Sequence, residues 1–204
     1  MRMIAIIDYG MGNIHSVAKA LGLWCAEVRV TNKAGDIADS DKVVLPGVGA
    51  FADAMKELKK QGLSEAVLRH ISKKKPFLGI CLGMQLLFER SQESQDARGL
   101  GVLAGSVEKI PFKEGIKVPH IGWNEVVLKN PACPLFKGMP VKPYVYFCHS
   151  YYARPEDQGI VSAVTGYGFD FASSIWKENI YGVQFHPEKS QQAGLKIIEN
   201  FVKL

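Results

Sequence analysis

Short apolar runs, each followed by a glycine-rich turn and a helical pattern, restrict this chain to few folds. Residues 3–7, 42–45 and 76–80 form such runs, and 26–30 is a further short strand candidate. Because these runs show little alternation with polar residues, they are typical of parallel strands covered on both faces. We therefore expect an α/β fold built on an open, mainly parallel twisted sheet with helices on both faces.

The second half of the chain has a different residue pattern, in which Gly, Pro and Asn separate short apolar segments. Such spacing is typical of antiparallel hairpins, which would extend the parallel sheet. Strands are expected at 106–110, 125–128, 144–148, 160–164, 173–176 and 180–185. Helical spacing predicts helices through Val17–Leu21, through 51–71 with a break at Gly62, through 82–88, and through Leu195, Ile198 and Phe201 after a Ser190 N-cap.

Length and composition favour one ordinary domain. The chain has 204 residues, of which 47% are hydrophobic and 22% are charged, close to the average for soluble proteins. We expect a single domain over residues 1–204. No apolar stretch approaches the roughly 20 residues of a membrane span, and Asp8 comes too early for a signal peptide, so we expect a cytoplasmic protein.

Charge and cysteine content exclude several classes of function. The net charge is +5, and its densest run, at residues 73–75, is interpreted as solvated. The sequence has no basic stripe with interleaved aromatic residues, so we do not expect nucleic acid binding. Cys25, Cys81, Cys133 and Cys148 form no CxxC pair, so we expect reduced thiols, no metal site and no cofactor.

The segment Gly79-Ile80-Cys81-Leu82-Gly83 has the form G-x-C-x-G at a predicted strand-to-helix junction. It is the thiol counterpart of the nucleophile elbow, in which flanking glycines permit a strained turn that exposes the nucleophile. The helix start behind it favours the reactive thiolate. A buried cysteine beside packing glycines is the alternative, and it would be preferred if this segment stood alone.

A second segment, His186-Pro187-Glu188, supplies what a thiol nucleophile needs. Residues two apart in an extended chain point to the same side, so Glu188 can orient the imidazole of His186 as base. Alone, this segment would be an ordinary strand end. Together, the two segments predict a catalytic Cys81, His186 and Glu188.

Two glycine-rich loops follow other predicted strands. Pro46-Gly47-Val48-Gly49 can bring backbone N–H groups close to a ligand, so we assign it an oxyanion donor beside that of Leu82; a plain turn is the alternative. The loop from Asp8 to Asn13 does not bind a dinucleotide, because His15 stands where G-x-G-x-x-G needs its third glycine.

These motifs together resemble the class I, or triad, glutamine amidotransferase family. The resemblance rests on Gly79-Ile80-Cys81-Leu82-Gly83-Met84-Gln85 and on Gln184-Phe185-His186-Pro187-Glu188-Lys189-Ser190, and it covers essentially the whole chain. It implies hydrolysis of glutamine through a γ-glutamyl thioester on Cys81. It further implies backbone oxyanion donors at Val48, Gly49 and Leu82, and substrate contacts from Gly47, Gln85, Ser150 and Tyr151.

Four further segments resemble one branch of that family, which serves histidine biosynthesis. They are Asp8-Tyr9-Gly10-Met11-Gly12-Asn13, Leu45-Pro46-Gly47-Val48-Gly49-Ala50-Phe51, Pro119-His120-Ile121-Gly122-Trp123-Asn124 and Tyr146-Phe147-Cys148-His149-Ser150-Tyr151. The resemblance implies a heterodimer with a (βα)₈-barrel cyclase subunit that receives the ammonia through a tunnel. Asn13, His120, Trp123 and Lys189 would face this partner. The alternatives are core packing for Trp123, a loop histidine with satisfied hydrogen bonds for His120, and a solvated side chain for Lys189.

Three other functions stay open from the sequence. The chain could serve a different synthase, for anthranilate, aminodeoxychorismate or pyridoxal phosphate. It could be a non-catalytic regulatory module of the same fold, which the complete set of Cys81, His186 and Glu188 speaks against. It could also be an independent cysteine hydrolase, which would be fully active without a partner.

Overall fold

The computed structural model describes residues 3–25 and 27–204 and is organised around one large sheet. Ala26, at the start of one predicted strand, lies outside the described residues. The strands are β1 (Met3–Ile7), β2 (Glu27–Thr31), β3 (Lys42–Gly47), β4 (Phe77–Cys81), β5 (Phe88–Ser91), β6 (Ser94–Arg98), β7 (Leu103–Lys109), β8 (His120–Glu125), β9 (Val127–Leu128), β10 (Tyr144–His149), β11 (Tyr151–Pro155), β12 (Val161–Gly166), β13 (Asp170–Lys177) and β14 (Ile180–Val183). The α-helices are α1 (Ile14–Leu21), α2 (Ala34–Asp39), α3 (Phe51–Lys60), α4 (Leu63–Ser72), α5 (Leu82–Gln85) and α6 (Gln191–Val202).

The large sheet has the strand order β2-β1-β3-β4-β14-β13-β12-β9. Neighbours from β2 to β14 are parallel, and the pairs from β14 to β9 are antiparallel. The expected α/β fold with an antiparallel extension is therefore confirmed. Since parallel strands end at the same edge of a sheet, the carboxyl ends of β3, β4 and β14 are neighbours.

Side chains of the parallel strands enter two apolar cores, one on each face of the sheet. Ala5 and Ile7 pack with α2, α3 and α4, whereas Ile4 and Ile6 pack with α1 and α6. Because both faces of these strands are buried, their sequences lack polar alternation. Gly62, with φ of +67°, separates α3 from α4 at the predicted break.

Two smaller sheets lie beside the large one. One has four strands in the order β11-β7-β5-β6, and the other is the antiparallel pair of β10 and β8, called the ribbon below. In the ribbon, His149 lies opposite His120, and Tyr146 lies opposite Trp123. Since side chains alternate along a strand, the histidines occupy one face of the ribbon, and Trp123 and Tyr146 occupy the other.

The helix predicted from residue 82 to 88 is shorter than expected. Helix α5 ends at Gln85, and Phe88 begins β5, which pairs in parallel with β7. Leu100 and Val102 donate backbone hydrogen bonds of 2.8 and 2.9 Å to the carbonyls of Leu86 and Leu87. N–H groups distant in sequence thus bind the carbonyls that would accept hydrogen bonds within a continued helix.

The strand predicted at 125–128 also differs. Strand β8 begins at His120 and ends at Glu125, and Val127–Leu128 forms the separate strand β9. Between them, the Val126 N–H donates to the Pro143 carbonyl at 2.9 Å. The segment that contains His120 and Trp123 is therefore a strand, which fixes the direction of each side chain.

In the described part of the chain, no helix has both the length and the apolar character that crossing a bilayer requires.

We expect Gly83→Ala to lower the free energy of unfolding by about 3 kcal/mol or to prevent folding. A Cβ at residue 83 would lie 1.8 Å from the carbonyl oxygen of Leu45, so α5 and β3 would have to separate. Urea denaturation measures the effect. The control is Gly35→Ala in α2, where no atom lies within 4 Å of the added Cβ, and where a small stabilisation of about 0.5–1 kcal/mol is expected. Equal effects at both positions would contradict the proposed packing.

Candidate active site

The end of β4 places Cys81 in a strained turn. Cys81 has φ of 53° and ψ of −110°, a conformation that costs a non-glycine residue about 1–3 kcal/mol. Glycines on both sides let the chain fold this tightly. An added Cβ at Gly79 would lie 2.6 Å from the Gly83 carbonyl oxygen, and one at Gly83 would meet Leu45. The predicted nucleophile elbow is thus present, with Cys81 at its tip.

His186 and Glu188 follow β14, which is the neighbour of β4 in the sheet. The imidazole Nδ1 of His186 lies 3.0 Å from Glu188 Oε1, and the two side chains are only 4% and 1% exposed. His186 and Cys81 line the same cavity. The structure therefore brings the three predicted catalytic residues to one place, with Glu188 bound to His186 and Cys81 beside them.

The protonation of His186 follows from these contacts. Burial opposes the charged imidazolium, but the hydrogen bonds and charges of Cys81 and Glu188 outweigh burial and raise the pKa of His186 to about 10. His186 therefore holds a proton at neutral pH. A protonated imidazole beside a nucleophile can deliver that proton to a leaving group.

Ser190 fixes the segment that carries His186. Its hydroxyl donates to the His186 carbonyl at 2.6 Å and accepts the Tyr146 N–H at 2.9 Å. The sequence predicts Ser190 as an N-cap of α6; it occupies that position but makes no side-chain cap hydrogen bond. Its hydroxyl instead ties the end of β14 to strand β10 of the ribbon.

A cavity of about 340 Å³ lies in front of Cys81 and His186. Such a volume suits a small ligand. The elbow forms one part of its wall, Val48 and Gly49 form a second, and residues 148–151 of the ribbon end form a third. Glu93 and Lys189 contribute one negative and one positive side chain.

The loop after β3 lies beside the nucleophile, because Gly47 pairs with Cys81 between β3 and β4. Val48, Gly49 and Leu82, which are the predicted oxyanion donors, all line the cavity. Gly47 does not line it, and its contact with substrate stays a prediction. It packs inside, where an added Cβ would lie 2.5 Å from the Tyr9 hydroxyl.

Gln85 lines the cavity and also fixes its wall. Its Nε2 donates to the Tyr151 carbonyl at 2.9 Å and to Gln184 Oε1 at 3.0 Å. Gln184 Nε2 in turn donates to Cys81 Sγ at 3.6 Å. Both protons of the Gln85 amide are thus engaged, and the predicted substrate residues Ser150 and Tyr151 are held in the same wall.

The four residues predicted to face a partner divide into two groups. Trp123 is 46% exposed, so core packing is excluded for it, and Lys189 is exposed while Asn13 is partly exposed. His120 is only 3% exposed. Its prediction as a partner-facing side chain is wrong, because alternation along β8 turns His120 inward when Trp123 points outward.

Three residues contribute to the site although the sequence does not predict that role for them: Glu93, Gln184 and Ser190. Glu93 lies between β5 and β6, where no motif signals it, and it reaches the cavity only through the tertiary fold. Gln184 and Ser190 flank the His186-Pro187-Glu188 segment. Gln184 could have been found, because it lies two residues before His186 in an extended segment and so points to the same side.

The sequence and the fold both match known proteins. The family model "Glutamine amidotransferase class-I" matches residues 5–204. A crystal structure of a glutamine amidotransferase has the same fold, with a TM-score of 0.77, 16% identity, and coverage of 99% of this chain and 100% of that chain. The chain therefore belongs to the class I glutamine amidotransferase family, whose members are glutamine-hydrolysing enzymes.

More similar relatives belong to one branch of this family. The imidazole glycerol phosphate synthase subunit HisH of Aquifex aeolicus is 51% identical over 197 residues, which are 96% of this chain and 94% of that protein. The subunit of the same name from Moorella thermoacetica is 50% identical over 204 residues, which are 100% of this chain and 96% of that protein. Within the family, the chain thus groups with the HisH subunits.

We expect Glu188→Gln to lower the pKa of His186 from its value of about 10, because the amide keeps an oxygen acceptor but removes the negative charge. The rate constant kcat of glutamine hydrolysis should fall by about 10²-fold or more. Histidine NMR and steady-state kinetics measure the two effects. Glu178→Gln, at an exposed carboxylate paired with Lys74, is the control. An unchanged pKa and an unchanged kcat in Glu188→Gln would contradict the role of Glu188.

Proposed function

We propose that this chain is the glutaminase subunit of imidazole glycerol phosphate synthase. It hydrolyses glutamine to glutamate and ammonia. The ammonia passes to a (βα)₈-barrel cyclase subunit, which makes imidazole glycerol phosphate and aminoimidazole carboxamide ribonucleotide. The main support is that Cys81 and His186 line one cavity and that Glu188 holds His186, together with HisH relatives that match 96–100% of the chain.

The first half of the reaction forms the thioester. The Cys81 thiolate attacks the side-chain amide carbon of glutamine, and the carbonyl oxygen gains negative charge. Backbone N–H groups from Leu82 and from the loop with Val48 and Gly49 stabilise this oxyanion. The C–N bond then breaks, and ammonia leaves with the proton of the His186 imidazolium. The γ-glutamyl thioester remains on Cys81.

The second half releases glutamate. His186, now neutral, accepts a proton from water as that water attacks the thioester carbon. The C–S bond breaks, and Cys81 and His186 return to their starting states. Glu188 holds Nδ1 throughout, at 3.0 Å in the present structure, and stabilises the imidazolium that forms again.

The charges of the cavity suit an amino acid. Glutamine carries an ammonium group and a carboxylate at the end remote from its amide. Glu93 provides a carboxylate at the cavity and is held in place by the Phe51 N–H at 2.7 Å, so we assign it to the substrate ammonium. Gln85 keeps its Oε1 oxygen for a substrate N–H, since its own amide protons are donated to Tyr151 and Gln184.

The outer face of the ribbon is the proposed contact with the cyclase. It carries Ile121, Trp123 and Tyr144, which are 58%, 46% and 58% exposed. Tyr146 lies across from Trp123 at 6.3 Å between ring centroids, and Lys189 Nζ lies 5.9 Å from the Tyr146 ring. Adjacent exposed apolar side chains mark an interaction surface, and tryptophan is common at binding hot spots.

The position of this face explains why a partner would receive ammonia directly. Lys189 belongs both to the outer face and to the cavity wall, and Pro119, just before β8, also lines the cavity. A subunit bound to the ribbon would therefore cover the protein surface next to the opening of the cavity. Ammonia would pass between subunits without reaching solvent, where it would be protonated.

We also propose a cytoplasmic location. The nucleophile must remain a thiol, and none of the four cysteines forms a disulfide in the described structure. Reducing compartments maintain this state.

The direct test is glutamate release from glutamine by the purified chain, alone and with a histidine-pathway cyclase and its nucleotide substrate. Strong stimulation by the cyclase supports the proposed function. High activity without a partner and no stimulation would favour an independent hydrolase. No activity in either condition would favour another synthase partner or a non-catalytic module.

We expect Cys81→Ala to abolish glutamine-dependent synthesis by the complex while synthesis from added ammonia persists, because only the glutaminase step uses the thiol. Formation of imidazole glycerol phosphate from each nitrogen source measures both reactions. Cys25→Ala, at another buried cysteine that does not line the cavity, should retain both. Loss of the ammonia-dependent reaction in Cys81→Ala would contradict the division of chemistry between two subunits.

We expect Trp123→Ala to weaken binding to the cyclase by about 30-fold, as for a hot-spot residue worth about 2 kcal/mol, with little change in the melting temperature of the isolated chain. Calorimetric titration measures the binding. Leu23→Ala is the control, because Leu23 is also exposed but follows α1, which runs back toward the amino ends of the strands. A lower melting temperature with unchanged binding would place Trp123 in the structural framework instead.

A further inference from the structure

Two buried histidines link the inner face of the ribbon to the cavity wall. His120 and His149 lie directly opposite each other on β8 and β10, and they are 3% and 6% exposed. His120 Nδ1 lies 3.0 Å from His149 Nε2. His149 Nδ1 lies 2.9 Å from the Tyr151 carbonyl oxygen. None of these contacts is needed by the catalytic steps described above.

The partners at each end assign the proton positions. A carbonyl oxygen only accepts, so His149 Nδ1 carries a proton and donates it to Tyr151. In a neutral His149, Nε2 is then the acceptor, and His120 Nδ1 must be the donor. His120 Nε2 is left to accept from Asn124 Nδ2 at 3.3 Å. The Asn124 amide is itself oriented, because its oxygen accepts the Glu125 N–H at 2.8 Å.

The surroundings keep both rings neutral. The His120 ring is stacked between Phe147, at 4.8 Å, and Tyr167, at 3.9 Å between centroids. Burial lowers the pKa of His120 to about 4. Burial lowers the pKa of His149 to about 3, against the hydrogen bond to Tyr151 and with a smaller contribution from the charge of His186. Each ring is therefore one donor and one acceptor at neutral pH.

The hydrogen bonds from Asn124 through His120 and His149 to Tyr151, called the relay below, end on the wall that the substrate would touch. The Tyr151 carbonyl accepts from His149 on one side and from Gln85 on the other, both at 2.9 Å. In the same wall, the Cys148 carbonyl oxygen lies 4.0 Å from Cys81 Sγ. The position of residues 148–151 thus depends on a donor that His149 supplies and His120 keeps in the correct tautomer.

We propose that His149 and His120 are positioning residues, which hold the 148–151 wall of the glutamine pocket through a neutral, directionally fixed hydrogen-bond relay anchored on Asn124. This inference rests on the proposed glutaminase function for its kinetic consequence. The tautomers themselves are a property of the folded chain and do not depend on any activity.

The kinetic test compares two substitutions in the complex with the cyclase. In His149→Asn, the amide nitrogen occupies nearly the place of Nδ1 and keeps the donor to Tyr151; in His149→Leu, the donor is lost. We expect KM for glutamine to rise by about tenfold in His149→Leu, the upper range for one net hydrogen bond. We expect kcat to change by less than about threefold, and KM of His149→Asn to stay within about threefold of the unsubstituted chain.

A matched control separates positioning from general loss of packing. His70 is another buried histidine that contacts a backbone carbonyl, with Nε2 3.1 Å from the Pro76 oxygen, and it lies outside the cavity wall. His70→Leu should lower the melting temperature without raising KM. If His149→Leu and His149→Asn have the same KM, or if His70→Leu raises KM equally, the positioning role is refuted.

A second measurement needs no substituted chain. Long-range ¹H–¹⁵N NMR of the ¹⁵N-histidine-labelled protein at pH 7 should show both rings as neutral Nδ1–H tautomers. An Nε2–H tautomer or a protonated ring at either position would overturn the relay. If the unsubstituted complex does not hydrolyse glutamine, the proposed function fails, but the NMR result still decides whether the relay exists.

Discussion

The contact between Gly83 and the Leu45 carbonyl oxygen determines where the nucleophile stands. Only hydrogen fits between α5 and β3 at this point, so the chain can turn directly from β4 into α5 and leave Cys81 with a positive φ. Parallel pairing aligns β3, β4 and β14, so three strand ends meet. The loop with Val48 and Gly49, the Cys81 thiol and the His186 imidazole are therefore brought together by backbone packing rather than by contacts among the side chains themselves.

The ribbon of β8 and β10 connects this site to its surroundings through its two faces. Its outer face presents Trp123 and neighbouring apolar side chains, which suit a partner. Its inner face holds His120 and His149, which fix the wall of the pocket. Ser190 binds both β10 and the segment of His186. One small antiparallel element thus carries the proposed partner surface and contacts both the proposed substrate wall and the segment of His186.

The parts that the sequence predicts correctly depend on local patterns. Apolar runs reveal buried parallel strands, and the glycines around Cys81 reveal the elbow, because each signal lies within a few consecutive residues. The errors arise where distant partners decide. The helix after Cys81 ends early because the N–H groups of residues 100–102 bind the carbonyls of residues 86–88. The outward direction predicted for His120 is wrong because residues 120–125 form β8, in which alternation with Trp123 turns His120 inward. Glu93 reaches the cavity through tertiary structure alone.

The central claim is that Cys81, activated beside His186, carries a glutamyl group during turnover. The most direct measurement is mass spectrometry of the chain after acid quenching during glutamine hydrolysis, followed by peptide mapping. The account predicts a γ-glutamyl thioester on the peptide that contains Cys81, and none in Cys81→Ala. An adduct on another residue, such as Cys148, or continued hydrolysis by Cys81→Ala, would contradict it.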